Sequence, residues 1–135
     1  MRLSPQERAK RMRSIRKTDT KPELVVRRIA HGLGFRFRLH RSDLPGTPDL
    51  TFPRHRKVVL VHGCFWHQHE GCRLARKPLR NLDYWGPKLE RNVQRDRRVV
   101  AELATLGWIP LIIWECETRS PDQVKDLLTR FMEAP

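Results

Sequence analysis

Apolar and polar positions alternate along the chain with periods that change at identifiable capping and turn signals. Ser4-Pro5-Gln6-Glu7 has the form of a helix start, with a capping serine, a proline at the first helical position and an acid that closes the box. It predicts a helix running to about Lys17. That helix carries Arg8, Lys10, Arg11, Arg13 and Arg16 around only two large apolar residues, Met12 and Ile15. Residues 1–19 are therefore expected to form a basic N-terminal arm, held weakly by packing. Thr20-Lys21-Pro22-Glu23 repeats the capping signature, and Leu24, Val25, Ile29 and Leu33 supply a core stripe that ends at Gly34.

From Phe35 to Leu39 the sequence reads Phe, Arg, Phe, Arg, Leu, the period of a half-buried strand. Leu44-Pro45-Gly46-Thr47-Pro48 is a stiff turn that delivers Asp49 to the start of a short strand, Asp49 to Phe52. A basic turn leads into a continuous apolar strand, Lys57 to His62, which stops at Gly63. Residues Arg73 to Tyr84 show no period and read as loop. Pro87 to Leu106 predicts the longest helix, with Leu89, Val93, Val100 and Leu103 inward and Gly107 as its stop. Ile109 to Trp114 is a buried strand whose Pro110 must lie at an edge or at the strand start. Ser120-Pro121-Asp122-Gln123 caps a last helix built on Val124, Leu127, Leu128 and Phe131. The order α-α-β-β-β-α-β-α, without repeat or linker, predicts one mixed α/β domain over residues 1–135, a single mixed sheet with flanking helices.

Composition sharpens this reading. The 135 residues are 39% hydrophobic, enough for one core, and 28 Lys and Arg stand against 15 Asp and Glu, a formal charge of +13. A foldable domain this basic neutralises a polyanion, most often nucleic acid, and a neutral carrier or an acidic module is excluded. No apolar run is long enough to span a bilayer and no signal-peptide stretch opens the chain, so a cytoplasmic location without membrane association is expected. Three cysteines in a reducing compartment point to free thiols or metal ligands rather than a disulfide framework.

The chemistry is densest between Val61 and Cys72, which holds three of the six histidines and two of the three cysteines. Cys64, His69 and Cys72 can meet one ion from a tight loop, and tetrahedral zinc needs a fourth ligand. Cys116, just past the strand Ile109 to Trp114, can supply it. Cys64, His69, Cys72 and Cys116 are thus expected to form a closed structural Zn²⁺ site; small buried thiols beside a surface histidine are the alternative. Asp49 is either a turn cap or the carboxylate of a second site, in which the Val61 carbonyl and the His62 imidazole lie beside it. A carboxylate, a carbonyl and waters suit Mg²⁺, hence phosphodiester hydrolysis. Glu23 either closes its capping box or orients that site. Phe65, Trp66 and Trp85 lie in polar loop segments, where they either lid the core or stack on and wedge between bases. Arg91, Arg95, Arg97 and Arg98 outnumber the acids near them on the long helix and suit phosphate contact.

These residues resemble the very short patch repair (Vsr) DNA mismatch endonucleases. The resemblance runs from about Met12 to Glu117. It is anchored on Met12-Arg13-Ser14-Ile15, Leu44-Pro45-Gly46-Thr47-Pro48-Asp49, His62-Gly63-Cys64-Phe65-Trp66-His67, Asn92-Val93-Gln94-Arg95-Asp96 and Trp114-Glu115-Cys116. It implies a restriction-endonuclease-like core with a structural zinc, and nicking of DNA 5′ to the thymine of a T:G mismatch left by 5-methylcytosine deamination. It further implies Asp49 as the principal Mg²⁺ ligand with the Val61 carbonyl, His62 and His67 at the scissile phosphate with Glu23 in support, and Cys64, His69, Cys72 and Cys116 on zinc. Phe65, Trp66 and Trp85 match the family's intercalating aromatics, and Arg13 and Arg95 lie within its DNA-contacting anchors. The implied partner is double-stranded DNA carrying a T:G mismatch, bound by a monomer, with mismatch-repair proteins as further associates. Val61 stands where the family has Thr, and the segment from His67 to Cys72 is one residue longer than the family spacing. Two other readings stay open, a restriction or nicking nuclease of other specificity and a non-catalytic zinc-stabilised DNA-binding module.

Overall fold

A computed structural model describes residues 19–135. The predicted helix Ser4 to Lys17, with Arg13, lies outside the described residues. The elements are α1 (Lys21–Gly32), β1 (Arg38–Leu39), β2 (Leu50–Phe52), β3 (Lys57–His62), α2 (Leu82–Thr105), β4 (Ile109–Trp114) and α3 (Pro121–Glu133). One four-stranded mixed sheet has the order β1-β2-β3-β4, with β1 and β2, and β2 and β3, antiparallel and β3 and β4 parallel through the α2 crossover. Among the described residues no helix is long and apolar enough to cross a membrane.

The sheet separates two apolar clusters. Val59 and Ile113 face α1 and α3, packing with Val26, Ala30, Leu50, Phe52, Val124, Leu128 and Met132. Val58 and Leu60 face the other way, against Leu103, Trp108 and Leu44. Covered on both faces, β3 reads as an unbroken apolar run. Its Lys57 is buried, and the ammonium caps the end of α3 by donating to the carbonyls of Phe131 at 2.6 Å and Ala134 at 2.5 Å.

Several boundaries differ from the sequence reading. In α1 the fully buried positions are Val26 and Ala30, in register with buried Glu23 three residues before, while Ile29 and Leu33 only flank the cluster. The strand expected from Phe35 shrinks to Arg38–Leu39. Arg38 pairs with Thr51, so Arg36 would have to pair with Pro53, which has no N–H to offer. Phe35 and Phe37 still fold onto Phe52, their rings edge-on at 6.2 and 6.0 Å. The long helix starts at Leu82, inside the segment read as loop, and takes Pro87 into its second turn. A proline there leaves only the Asp83 carbonyl without its usual partner, a smaller loss than at mid-helix. Pro110 lies on the edge strand β4. Ile109 donates to the Arg56 carbonyl at 3.0 Å, so the next nitrogen points away from β3 and proline forfeits no ladder bond.

Candidate active site and metal centre

Asp49 is the last residue before β2, at the sheet end where β3 finishes. It is presented there by the turn from Leu44 to Pro48. Gly46, at φ +75°, cannot be replaced within this turn, because a Cβ would come within 2.5 Å of the Val99 side chain on α2. Asp49 Oδ2 accepts the Val61 N–H at 2.6 Å. Burial, and next a hydrogen bond with Glu23, push Asp49 up to about 8. Glu23 is 2% exposed. Burial alone would raise it, but hydrogen bonds with Asp49 and His40 bring it below the ordinary carboxylate range. Its Oε1 lies 2.8 Å from His40 Nε2, and its other oxygen accepts the Asp19 N–H. Thr20 also accepts the Glu23 N–H at 3.4 Å, so Glu23 holds the start of α1 as well as the Asp49 carboxyl. Two carboxyls that close, with one proton between them, form a donor set that a divalent cation suits.

The chain continues from Val61 into His62 and Gly63, then coils through successive turns. The backbone N–H of His67 donates to the Gly63 carbonyl at 3.1 Å and that of His69 to the Cys64 carbonyl at 3.0 Å, which folds the segment back beside the end of β3. His62 and His67 stack with ring centres 3.8 Å apart and planes 8° from parallel. Burial, and then the neighbouring His67, lower His62 to about 4, so it is neutral at physiological pH. Its buried Nδ1 has no hydrogen-bond partner among the described residues. His67 Nδ1 lies 2.7 Å from Asp96 Oδ2 on α2. A carboxylate there selects the Nδ1–H tautomer and leaves Nε2 as a proton acceptor.

His69 turns the other way. Its Nδ1 is 3.7 Å from Cys64 Sγ and 3.4 Å from Cys116 Sγ, and with Cys72 all four ligand atoms fall within 4.8 Å of one another. Tetrahedral zinc, with bonds of about 2.3 Å to sulfur and about 2.0 Å to nitrogen, separates those atoms by roughly 3.6 Å. The four residues could hold a metal ion. Burial pushes the Cys64 thiol up to about 12, so it stays protonated unless a cation sits beside it. The Cys64 N–H donates to Glu115 Oε1 at 3.2 Å, tying the coil to the end of β4.

Phe65, Trp66 and Trp85 contact one another at 5.2 to 5.7 Å between ring centres. They are half-buried and belong to neither core cluster. Asn92 on α2 donates to the Trp66 carbonyl at 3.2 Å and fixes this group against the helix. Arg95 is exposed one turn further on, its guanidinium 3.1 Å from Asn92 Oδ1.

Four neighbours of the site were missed from the sequence. Asp96 ends one of the anchors of the resemblance but has no role assigned from the sequence; 29 residues separate it from His67. His40 carried no motif at all. Trp114 stacks on His69, and the Lys88 ammonium lies 5.5 to 5.6 Å from the rings of Trp66, Tyr84 and Trp85. The helical spacing of Tyr84, Trp85 and Lys88 would have signalled that cluster had residues 82–86 been read as helix.

A profile of the family described as DNA mismatch endonuclease Vsr matches residues 2–73. A type II nicking enzyme of Xanthomonas oryzae pv. oryzae is 53% identical over 116 residues, covering 86% of this chain and 85% of its own. The DNA mismatch endonuclease Vsr of Escherichia coli is 40% identical over 119 residues, covering 88% and 76%. A type II nicking enzyme of Neisseria meningitidis serogroup A is 34% identical over 121 residues, covering 90% and 86%.

Proposed function

The chain belongs to the Vsr family of DNA endonucleases, and we propose that it nicks one strand of duplex DNA 5′ to the thymine of a T:G mismatch, with Mg²⁺ at Asp49 and structural Zn²⁺ at Cys64, His69, Cys72 and Cys116. The observation that carries the reading is a continuous linkage. Asp49 is bonded to the N–H of Val61, and the next residue, His62, is stacked on His67.

Phosphodiester hydrolysis requires a proton to leave the attacking water and another to reach the departing oxygen. When bound, Mg²⁺ supplies charge neutralisation at the phosphate and a more acidic water. Asp49 and the Val61 carbonyl would hold it, and Glu23, fixed by His40, keeps the Asp49 carboxyl oriented. His67 is the proton-transfer group. Asp96 holds its Nδ1, which fixes the ring and leaves Nε2 free to take a proton and then return it. Neutral His62 packs flat on that ring and denies it rotation. The zinc cluster has no open position and serves folding. Mismatch selection falls to Phe65, Trp66 and Trp85. A T:G wobble stacks less well than its neighbours, so prising it apart costs less than the few kcal/mol of an intact step.

The test is strand scission on end-labelled duplexes differing only in T:G, T:A or C:G at one position, with or without Mg²⁺. Cleavage 5′ to the mismatched thymine, in Mg²⁺ alone, supports the reading. Cutting of matched duplexes would point to a nuclease of other specificity, and binding without cutting to a non-catalytic module.

A further inference from the structure

A second surface, outside the site described above, has the chemistry of a polyanion contact. Along the free side of the edge strand β1 a trough passes over Phe37, Arg38 and Pro53. One end reaches Arg41, which is itself paired with Asp43 at 2.7 Å, and the other opens between Arg36, Arg54 and His55. Among the described residues no carboxylate lines it. Arg36, Arg38 and Arg54 are exposed, and no carboxylate among the described residues pairs with them. Other arginines are satisfied internally: Arg27 by Asp19, Arg130 by Asp126, and Arg56 by the Leu106 carbonyl and the Trp108 ring. The local sequence explains the difference. The period of two over Phe35, Arg36, Phe37 and Arg38 folds both phenylalanines onto Phe52 and projects both arginines outward. Pro53 then ends strand pairing and leaves that edge uncovered.

The trough and the carboxylate site lie at opposite ends of β2, Pro53 at one and Asp49 at the other. Leu39 pairs with Leu50, which follows Asp49, and His40 reaches Glu23. β2 separates Asp49 from Pro53 by roughly 13 Å at the rise of an extended chain. One DNA strand presents a phosphate about every 3.4 Å of helix axis, so that length serves about four phosphates. We infer that this trough holds the phosphate backbone of the duplex on one side of the scissile phosphate, as a sequence-independent contact separate from the aromatic wedge. It rests on the endonuclease reading above. DNA is favoured over an acidic peptide because a duplex gripped at Asp49 is long enough to reach the arginines beyond Pro53, whereas a peptide adding to β1 finds only two strand residues.

The experiment is the salt dependence of binding by the Arg36→Ala/Arg54→Ala variant, measured by fluorescence anisotropy without added Mg²⁺. Three T:G duplexes are used: one long, and two trimmed to about two base pairs on one or the other side of the mismatch. On the long duplex the slope of log affinity against log salt is expected to fall by about 2, at close to 0.9 per phosphate contact, and equally for a matched control. On one trimmed duplex wild type and variant should bind alike; on the other the difference should persist. An unchanged slope on the long duplex, or a difference surviving on both trimmed duplexes, overturns the inference. An unchanged melting temperature shows that the variant is folded. Because cleavage is never read, a wild-type protein that showed this slope but did not nick T:G would overturn the mismatch reading and leave the trough standing.

Discussion

His69 lies face to face with Trp114, ring centres 4.1 Å apart and planes 9° from parallel, and the edge of the same indole meets His62 at 5.3 Å. One residue at the end of β4 thus packs against both a proposed zinc ligand and an active-site histidine. Trp114→Ala should loosen both, lowering zinc retention against a chelator and the single-turnover nicking rate by roughly 10- to 100-fold each, as removal of orienting neighbours does at other metal sites. Trp114→Phe, which restores a flat ring, should recover most of either loss. An alanine variant unchanged in zinc retention and rate would show that the two centres are independent.

The zinc assignment separates two histidines two positions apart. Cys116→Ala and His69→Ala should release zinc and lower the melting temperature of the whole domain, because structural zinc binding is coupled to folding. His67→Ala should keep its zinc and its melting temperature while the nicking rate falls by about 10² to 10⁴. Metal content and melting temperature measured on the three proteins decide the matter. Zinc loss from the His67 variant would exchange the roles of His67 and His69.

Asp96 is expected to act only through His67. Asp96→Asn leaves the helix and its basic face intact, so DNA affinity should hold while the rate drops by at least about 10², with an altered pH profile. A rate and profile like the wild type would mean that His67 does not depend on the carboxylate 2.7 Å away.

Replacing Trp66 or Trp85 by Ala should weaken binding to T:G duplexes by the ~1–3 kcal/mol typical of a base-stacking aromatic. Binding to matched DNA should change far less. Arg95→Ala, which would remove a proposed phosphate contact, should weaken both equally. Affinities must be taken at one salt concentration, since the electrostatic term varies steeply with salt. Equal losses on both duplexes from the tryptophan variants would return these rings to a packing role.

What was legible in the sequence was local. Thr20 and Ser120 cap their helices through the residues three positions on, so α1 and α3 announced themselves. The apolar run Lys57–His62 and the edge position of Pro110 follow from chain-local sterics. The boundary errors arose where a tertiary partner decides: Pro53 ends the pairing of β1, and the contact of Trp66 with Trp85 accompanies a helix start five residues before Pro87. At the site, spacing brought out the cluster Cys64, His69, Cys72 and Cys116, since three of the four are close in the chain. It had no means of joining Asp96 to His67 or His40 to Glu23 across 29 and 17 residues: the anchor that ends at Asp96 names no partner for it, and His40 has no motif at all.

Asp49→Asn bears most directly on the mechanism. The substitution keeps the side chain's shape and its place beside Val61 but removes the charge that would hold Mg²⁺, and it leaves the basic surface untouched. Single-turnover nicking of a T:G duplex in Mg²⁺ should become undetectable while affinity for the same duplex stays within a few-fold of wild type. Near-normal nicking 5′ to the mismatched thymine by Asp49→Asn would contradict the assignment of the active site.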